Sequence, residues 1–456
     1  MRRFFYEEKF SKEGNMSPEQ LKGILWLADL QYDFEILDYK KFRDQNRVVL
    51  VLGRLGRAGI CSGCGETCSI IHSTDRVFLR DLPAFGYQVE LQVERFTFWC
   101  EGCQGYRVER HWLSRPRRAY TWRYEKQVSR LCEEMTNAAV GRLEGLQDKT
   151  VYRIDFELLE IRLGHQELPA LGPHYSMDEV YFRYYPDWHP EAPKKFVTNL
   201  LDLRHGKIIC NSPGRDERAA ENCLLLLSLP QRRQAESVAT DLHNPYHRAI
   251  RKHCPNANIV LDRFHIMQLF NEAMDEFRKH QLQLASGNDE VQYLKGRNKW
   301  LLLTREEKLS KTDRRLLEEL KRINERVVDA LLVREYFIQF FQSPTLKLAK
   351  LAWYRLLKLV KEVDIPAFTE FFRKLRAWSA ELWNYFKHRS SSAVIEAVNH
   401  KIKATKWAAY GYKNLRYFQL KILQRCGFLN SEYAPLPRLH KPRKLQVGFH
   451  RKPALN

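Results

Sequence analysis

Three short apolar runs between residues 176 and 265 each deliver a carboxylate: SMDEVYF carries Asp178, ESVATDLHNPY carries Asp241 and NIVLDRFHIMQ carries Asp262. Each reads as a short strand rich in Val, Ile and Tyr, with the acid at or near its end. Taken singly, each Asp is better read as a turn residue or a strand-end cap. Several converging on one sheet edge need partners, because an isolated buried carboxylate is costly. They either pair with bases or hold a divalent cation, which takes oxygen ligands. Farther on, residues 390–403 read SSSAVIEAVNHKIK. On a helix, Glu396, Asn399 and Lys403 fall on one face, a carboxylate beside two groups able to donate to phosphate.

A second constellation is made of thiols. Five of the ten cysteines lie between positions 61 and 103, and four of them form two C-x-x-C pairs, Cys61/Cys64 and Cys100/Cys103. Two such knuckles joined by strand-like sequence are the ligand set of a zinc ribbon, a closed and therefore structural site. The alternative is reduced, buried cysteine, and Cys68 or His72 could replace a ligand. Gly63, Gly65 and Gly102 are expected to supply unusual turn angles.

These groups need a scaffold. Between Asp178 and Asp241 lie KKFVTNLLDLR, the turn His205-Gly206 and KIICNSP, a hairpin, followed by a helical run over about residues 216–229. The order strand, strand, strand, helix, strand, helix, strand is that of a ribonuclease-H-like core. Upstream, RPRR (residues 115–118) is a basic link before helix formers at 121–135. Thr136 or Asn137 then caps AAVGRLE, which stops at Gly145, and Asp148 caps KTVYRIDFELLEIRL. That pattern fits a helix-turn-helix, with Lys149, Thr150, Tyr152 and Arg153 facing DNA and Arg117 and Arg118 flanking it; a plain helical hairpin is the alternative, and Glu144 sits where an apolar residue is usual. From residue 267 to about 386 the strand signal vanishes and apolar residues recur at helical spacing, with Pro344 and Pro366 at starts or breaks and Trp300, Trp353, Trp378 and Trp383 as core. A capped amphipathic helix is expected at the start, in SPEQLKGILWLADL, and a flexible basic tail at the end.

The chain resembles the DDE transposases of bacterial insertion sequences, specifically the ISL-three family, through MDEVYF, DLRHGKI, SPGR, TDLHNPY, PNANIVLDRFH and the distal IEAVNHKIKATKWAAYGYKN, over roughly residues 35–430. The resemblance implies a multidomain α+β protein: a zinc ribbon, a helix-turn-helix and a ribonuclease-H-like catalytic core interrupted by an all-helical insertion. Its segments would be 1–34 (helical extension), 35–114 (zinc ribbon), 115–170 (helix-turn-helix), 171–266 (core, first part), 267–388 (insertion), 389–430 (core completion) and 431–456 (tail). It makes Asp178, Asp241 and Glu396 the catalytic acids, holding Mg²⁺ or Mn²⁺, and Zn²⁺ structural. Ala397 stands where the family has Gly. Asp262 and His265 stay open between two roles: orienting a ligand and touching phosphate or base, or a strand cap and a core histidine. The activity implied is cleavage of element ends and joining to target DNA.

Composition agrees. A net charge of +21 over 456 residues suits a polyanionic partner, and 44% hydrophobic content suffices for several cores. No apolar run reaches membrane-spanning length and no signal peptide is read; the resemblance implies a cytoplasmic, nucleoid-associated protein acting as a dimer or larger oligomer on double-stranded DNA. Two rivals are a domesticated DNA-binding regulator, which would not need all three acids, and another nuclease of the same fold such as a junction resolvase. Inverted repeats flanking the coding region would separate these from a transposase.

Overall fold

Alternating apolar residues in YQVELQVERFTFWC build a long strand, β6 (Tyr87–Cys100), and a change of phase along it decides what each half buries. Val89, Leu91 and Val93 share a core with Phe34, Ile36, Leu50, Leu52 and Leu79. Past Glu94 and Arg95 the buried positions become Phe96, Phe98 and Cys100, which join Cys61 and Cys68 in a second core. β6 lies in a sheet ordered β1 (Phe34–Phe42), β2 (Arg47–Arg54), β6, β5 (Ile71–Ala84), with β7 (Gly105–Val108) also on β6. β3 (Gly59–Ile60) and β4 (Thr67–Cys68) form a small hairpin.

The computed structural model describes residues 34–84, 86–110, 113–115, 118–182, 196–285, 288–304, 306–388 and 393–436. The expected N-terminal helix, Arg117 and nearly all of the basic tail lie outside them. The chain divides into two compact units, Met1–Gln166 with Ala434–Asn456, and Glu167–Tyr433. No helix among the described residues is long and apolar enough to cross a membrane.

The first unit continues with α1 (Trp122–Leu131), capped by Thr121, α2 (Asn137–Glu144), capped by Thr136, and α3 (Asp148–Gly164). Gln147, not Asp148, is the cap position of α3, and it makes no side-chain cap bond. Gly145 ends α2 in the left-handed conformation, φ +61, that glycine adopts without strain. A Cβ on Gly141 would lie 2.7 Å from the Leu146 carbonyl oxygen, so only glycine lets the α2–α3 turn close this tightly. Glu144 is explained too: Tyr124 Oη donates to it at 3.0 Å and Arg80 pairs with it at 3.9 Å. Val128, Val140, Val151, Ile154 and Leu158 are the core of this helical trio, and Leu436 from the far end of the chain packs on it.

The second unit holds a five-stranded sheet ordered β10 (Lys207–Pro213), β9 (Phe196–Asp202), β8 (His174–Tyr181), β11 (Ser237–Thr240), β12 (Asn258–Leu261). β8, β9 and β10 are antiparallel neighbours, while β8, β11 and β12 run parallel. The element order is the expected one, except that the helical run after β10 breaks into α4 (Glu217–Leu225) and α5 (Leu229–Gln234), the latter started by a capping box at Ser228. One face of the sheet, with Tyr175, Met177, Leu200, Val238 and Ile259, packs on α4 and on α6 (Asn244–His253).

After β12 the chain is helical throughout the described residues. It begins with α7 (Arg263–Leu284), which starts four positions before the expected boundary at 267. Helices α8 (Asn288–Leu294), α9 (Trp300–Leu303), α10 (Lys311–Ile323), α11 (Glu325–Gln342), α12 (Leu346–Val363), α13 (Pro366–Arg376) and α14 (Ser379–His388) follow. Their core is aromatic, with Phe270, Phe337, Phe340, Trp353, Phe368 and Phe372 buried. Trp378 and Trp383 pack against it, but Trp300, expected as core, is 54% exposed. The chain returns to the sheet: Asn384 Nδ2 donates to the Ile259 carbonyl of β12 at 2.9 Å. It then forms α15 (Ala393–Ala408) and α16 (Leu415–Cys426). Phe418 of α16 stacks on Phe182 at 5.2 Å, and Gln419 exchanges two 3.0 Å hydrogen bonds with Asn211 of β10.

Candidate active site and four-cysteine cluster

β11 and β12 are only four residues long, and each is followed at once by an aspartate. The register pairs Ala239 with Ser176 and Thr240 with Leu261. Continued, it sets Asp241 level with Asp178 and Asp262 level with Asp241. Three acids thus stand in a row across three neighbouring parallel strands: Asp241 and Asp262 just past the carboxyl ends of β11 and β12, where open α/β sheets form their crevices, and Asp178 within the longer β8.

Each acid is held alike. One carboxylate oxygen accepts a backbone amide just downstream: Glu179 N on Asp178 (2.8 Å), His243 N on Asp241 (3.2 Å), Phe264 N on Asp262 (2.8 Å). The other oxygen faces a side-chain donor. Asn399 Nδ2 donates to Asp178 at 2.6 Å, Arg215 Nη2 to Asp241 at 3.1 Å, and His265 Nδ1 lies 3.0 Å from Asp262. Asp262 also caps α7. Asp262 is therefore at once a helix cap and the partner of His265.

The Asn399 contact joins residues 221 apart in sequence and seats α15 against β8. Ile395, Asn399 and Ile402 are the buried side of that helix, whereas Glu396 is partly exposed and Lys403 exposed. The expected single face is therefore two adjacent strips: Asn399 turns in to Asp178, and Glu396 and Lys403 stand beside it. Among the described residues Asn399 Oδ1 is buried without a hydrogen-bond partner, an oxygen donor left over next to the acid row.

The electrostatics are those of crowded negative charge. Burial raises Asp178, and the charge of Asp241 adds to it against the opposing pull of His265 and the Asn399 amide. Burial likewise raises Glu396, with the charge of Asp262 adding and His265 and His400 opposing. Burial pulls His265 down, but the bond to Asp262 and the charges of Asp262, Asp178 and Asp241 outweigh it and hold the imidazole up at about 9. A cation thus sits among the acids. Among the described residues no three carboxylates bring oxygens within 4.8 Å of one another. Hard oxygen donors, an orphaned amide oxygen and surplus negative charge nevertheless fit a divalent cation such as Mg²⁺ or Mn²⁺.

Sequence reasoning missed a second acid. Side chains alternate along β8, so Glu179 points to the sheet face opposite Asp178. There Arg215 Nε pairs with it at 2.8 Å and Tyr246 Oη contacts it at 3.0 Å. Burial, then the charges of Asp178 and Asp241, raise Glu179 to about 7. Tyr246 Oη also lies 2.8 Å from Thr198 Oγ1, which is 2.7 Å from the Gly214 carbonyl. Tyr246 Oη donates to the Glu179 carboxylate and Thr198 Oγ1 to the Gly214 carbonyl, which ties this second acid into β9 and α6. The strand period could have flagged Glu179 as buried; nothing local pairs it with Arg215.

In the first unit the four expected thiols converge. Cys61, Cys64, Cys100 and Cys103 place their sulfurs within 4.8 Å of one another, with 3.7 Å between Cys61 and Cys103 and 3.4 Å between Cys64 and Cys100. A tetrahedral zinc with Zn–S bonds of ~2.3 Å spaces sulfurs by ~3.8 Å, so the set fits Zn²⁺. Burial raises the Cys61 thiol, but the amides of Cys64 and Gly63 and the neighbouring thiols bring it down to about 6. Neither Cys68 nor His72 joins: Cys68 contacts the Glu66 carbonyl and His72 rests on Tyr106. Of the three glycines only Gly65 has a positive φ, +81. Gly63 sits close against the cluster: a Cβ there would lie 3.0 Å from Cys103 Sγ and press on it.

On α3, Lys149 and Arg153 are exposed, and Thr150 and Tyr152 half-buried, Tyr152 against Phe156. Arg118, expected to face DNA, is instead taken up by ion pairs with Glu157, and its side chain is 17% exposed. Arg115 pairs with Glu157 at 2.7 Å and with the fully buried Glu125 at 2.6 Å, so this basic link is tied down by α1 and α3.

A model of the transposase family DDE ISL3 matches residues 187–422. Over 367 residues the chain is 28% identical to the transposase for insertion sequence element IS1001 of Bordetella parapertussis, covering 80% of this chain and 87% of that protein. It is 21% identical over 242 residues to the transposase for IS1557 of Mycobacterium tuberculosis, covering 48% and 54%.

Proposed function

Since this chain belongs to the ISL3 (ISL-three) family of DDE transposases, we propose that it cleaves the ends of an insertion sequence and joins them to target DNA using Asp178 on β8, Asp241 just past β11 and Glu396 on α15. The carrying observation is the Asn399–Asp178 contact, which sets α15 on β8 where the strand register, continued, brings Asp241 level with Asp178. Strand order 3-2-1-4-5 with the last two parallel supports a ribonuclease-H-like core, and the helices from α7 to α14 fill the place of the insertion.

Asp178, Asp241 and Glu396 would hold a divalent pair, which supplies activation of the attacking oxygen and charge relief on the leaving one. Asn399 fixes the Asp178 rotamer. Asp262 orients His265 and fixes its charge beside the acids. Water attacks the phosphodiester at the element end and frees a 3′-hydroxyl; that hydroxyl then attacks a target phosphodiester, one P–O bond forming as another breaks and the proton passing to the leaving oxygen. α2 and α3 serve as the helix-turn-helix, where Lys149, Thr150, Tyr152 and Arg153 meet DNA, and the four-cysteine cluster holds structural zinc. Partners are double-stranded element ends and target DNA, with a second copy of the chain, in the bacterial cytoplasm near the nucleoid.

End cleavage and strand transfer should be assayed with Mg²⁺ or Mn²⁺. Asp178→Asn, Asp241→Asn and Glu396→Gln should each keep end binding and lose both reactions by orders of magnitude. Full cleavage by Glu396→Gln would remove that residue from the site; full cleavage by Asp178→Asn would sink the whole reading.

A further inference from the structure

Among the described residues, Arg215 is the cation of this neighbourhood that bridges the two faces of the sheet. Its Nη2 is 3.1 Å from Asp241 Oδ2 and its Nε 2.8 Å from Glu179 Oε1, while its guanidinium lies 5.6 Å from the centre of the Phe196 ring. Its backbone is fixed from both sides. The preceding Gly214 has φ +107 and is bonded to Phe196 and Thr198 of β9, and His243 Nε2 lies 2.7 Å from the Arg215 carbonyl oxygen. The side chain is 39% exposed, so it has room to move, whereas Glu179 and Asp241 are 11% and 13% exposed. One oxygen of Asp241 is spent on the His243 amide, so the oxygen that Arg215 occupies is the one best able to bind a metal ion.

We propose that Arg215 is a resident counter-ion of the active site: it neutralises Asp241 until a divalent cation displaces it, and Glu179 keeps the released guanidinium close by. It is a positioning residue that sets how tightly the site takes metal. This rests on the reading of Asp178 and Asp241 as metal ligands. A guanidinium and a divalent cation on one carboxylate oxygen repel each other at close range, so an ion bound at Asp241 must overcome the Arg215 pair, which weakens its binding. Glu179 lowers the barrier by giving the guanidinium another anion.

Mn²⁺ binding to the full-length, zinc-loaded chain, followed by the electron-paramagnetic-resonance signal of free ion, tests this without any turnover. Arg215→Gln should bind Mn²⁺ more tightly, on the order of tenfold. Glu179→Gln should bind it several-fold more weakly, and in the Arg215→Gln background the same change should have almost no effect, because its action runs through Arg215. Arg215→Lys, which keeps the charge, should stay near the wild type. Weaker binding by Arg215→Gln, or an equal Glu179→Gln effect in both backgrounds, overturns the proposal. If Asp178→Asn leaves Mn²⁺ affinity as it was, the ion binds elsewhere, and the metal-ligand reading falls together with the inference.

Discussion

Asp262 and His265 show what a single turn of helix does to two side chains. In DRFH the spacing of three places the imidazole over the carboxylate that caps the same helix, and burial among acids does the rest. In the metal-free protein the His265 resonance should titrate near 9, above the ordinary histidine value of about 6.5. Because the folded value is raised, the stability it contributes is fully present below about pH 6.5 and disappears as pH rises through about 9. Asp262→Asn should move the titration down, and an NMR titration showing His265 at or below the ordinary value in the intact chain rules out the charged pair. The sequence showed both residues but left their roles open, because a cap and a ligand-orienting acid look alike until the neighbouring strands are in place. Arg215 was harder still. It stood in a quoted motif, SPGR, yet its partners Glu179 and Asp241 come from two other strands, and only the register brings them together.

At the scale of elements, the sequence signals that held were those with a short period. Paired C-x-x-C spacing, the His205-Gly206 hairpin turn and the strand-end places of Asp241 and Asp262 were read correctly because each is settled within a few residues, whereas Asp178 lies within β8. The β6 phase change is equally local and explains why the four sulfurs meet: Cys100 ends the half of the strand that faces the Cys61 core. Cys100→Ser should therefore cost the cluster its zinc and loosen the first unit, leaving the sheet of β8–β12 folded. Metal analysis of freshly purified protein and hydrogen exchange in the two units check this, and zinc retained in full by the variant contradicts it. What the sequence misjudged at this scale was assignment of side chains to neighbours. Arg118 looks free in a basic run, but Glu157, on a helix 39 residues away, takes it. Trp300 has the composition of core and the surroundings of surface.

At the scale of the whole molecule the chain was read with a core split by the helical insertion, but the last segment was read as a separate tail, and the structure brings part of it back to the first unit. The second unit is spliced into the first, whose last described stretch returns after Tyr433 to α1–α3: Leu436 packs on their core and its carbonyl accepts from Lys126 Nζ at 3.4 Å. Truncation after Tyr433 should speed amide exchange in α1–α3 and leave β8–β12 protected; unchanged exchange in α1–α3 means the returning segment contributes nothing there.

That return has an entropic side. Leu171 and Tyr433, near the two ends of the second unit, pack on the same hydrophobic core, so the folded sheet acts as a short clasp in the path from α3 to Leu436. Unfolded, the same stretch becomes a long flexible tether, and the cost of closing a loop rises as (3/2)RT ln n, about 3 kcal/mol between a tether of roughly ten residues and one of a few hundred. Folding of the second unit thereby lends stability to the first through chain connectivity, and a substitution that melts the sheet should reach α1–α3 as a loss of effective concentration of Leu436.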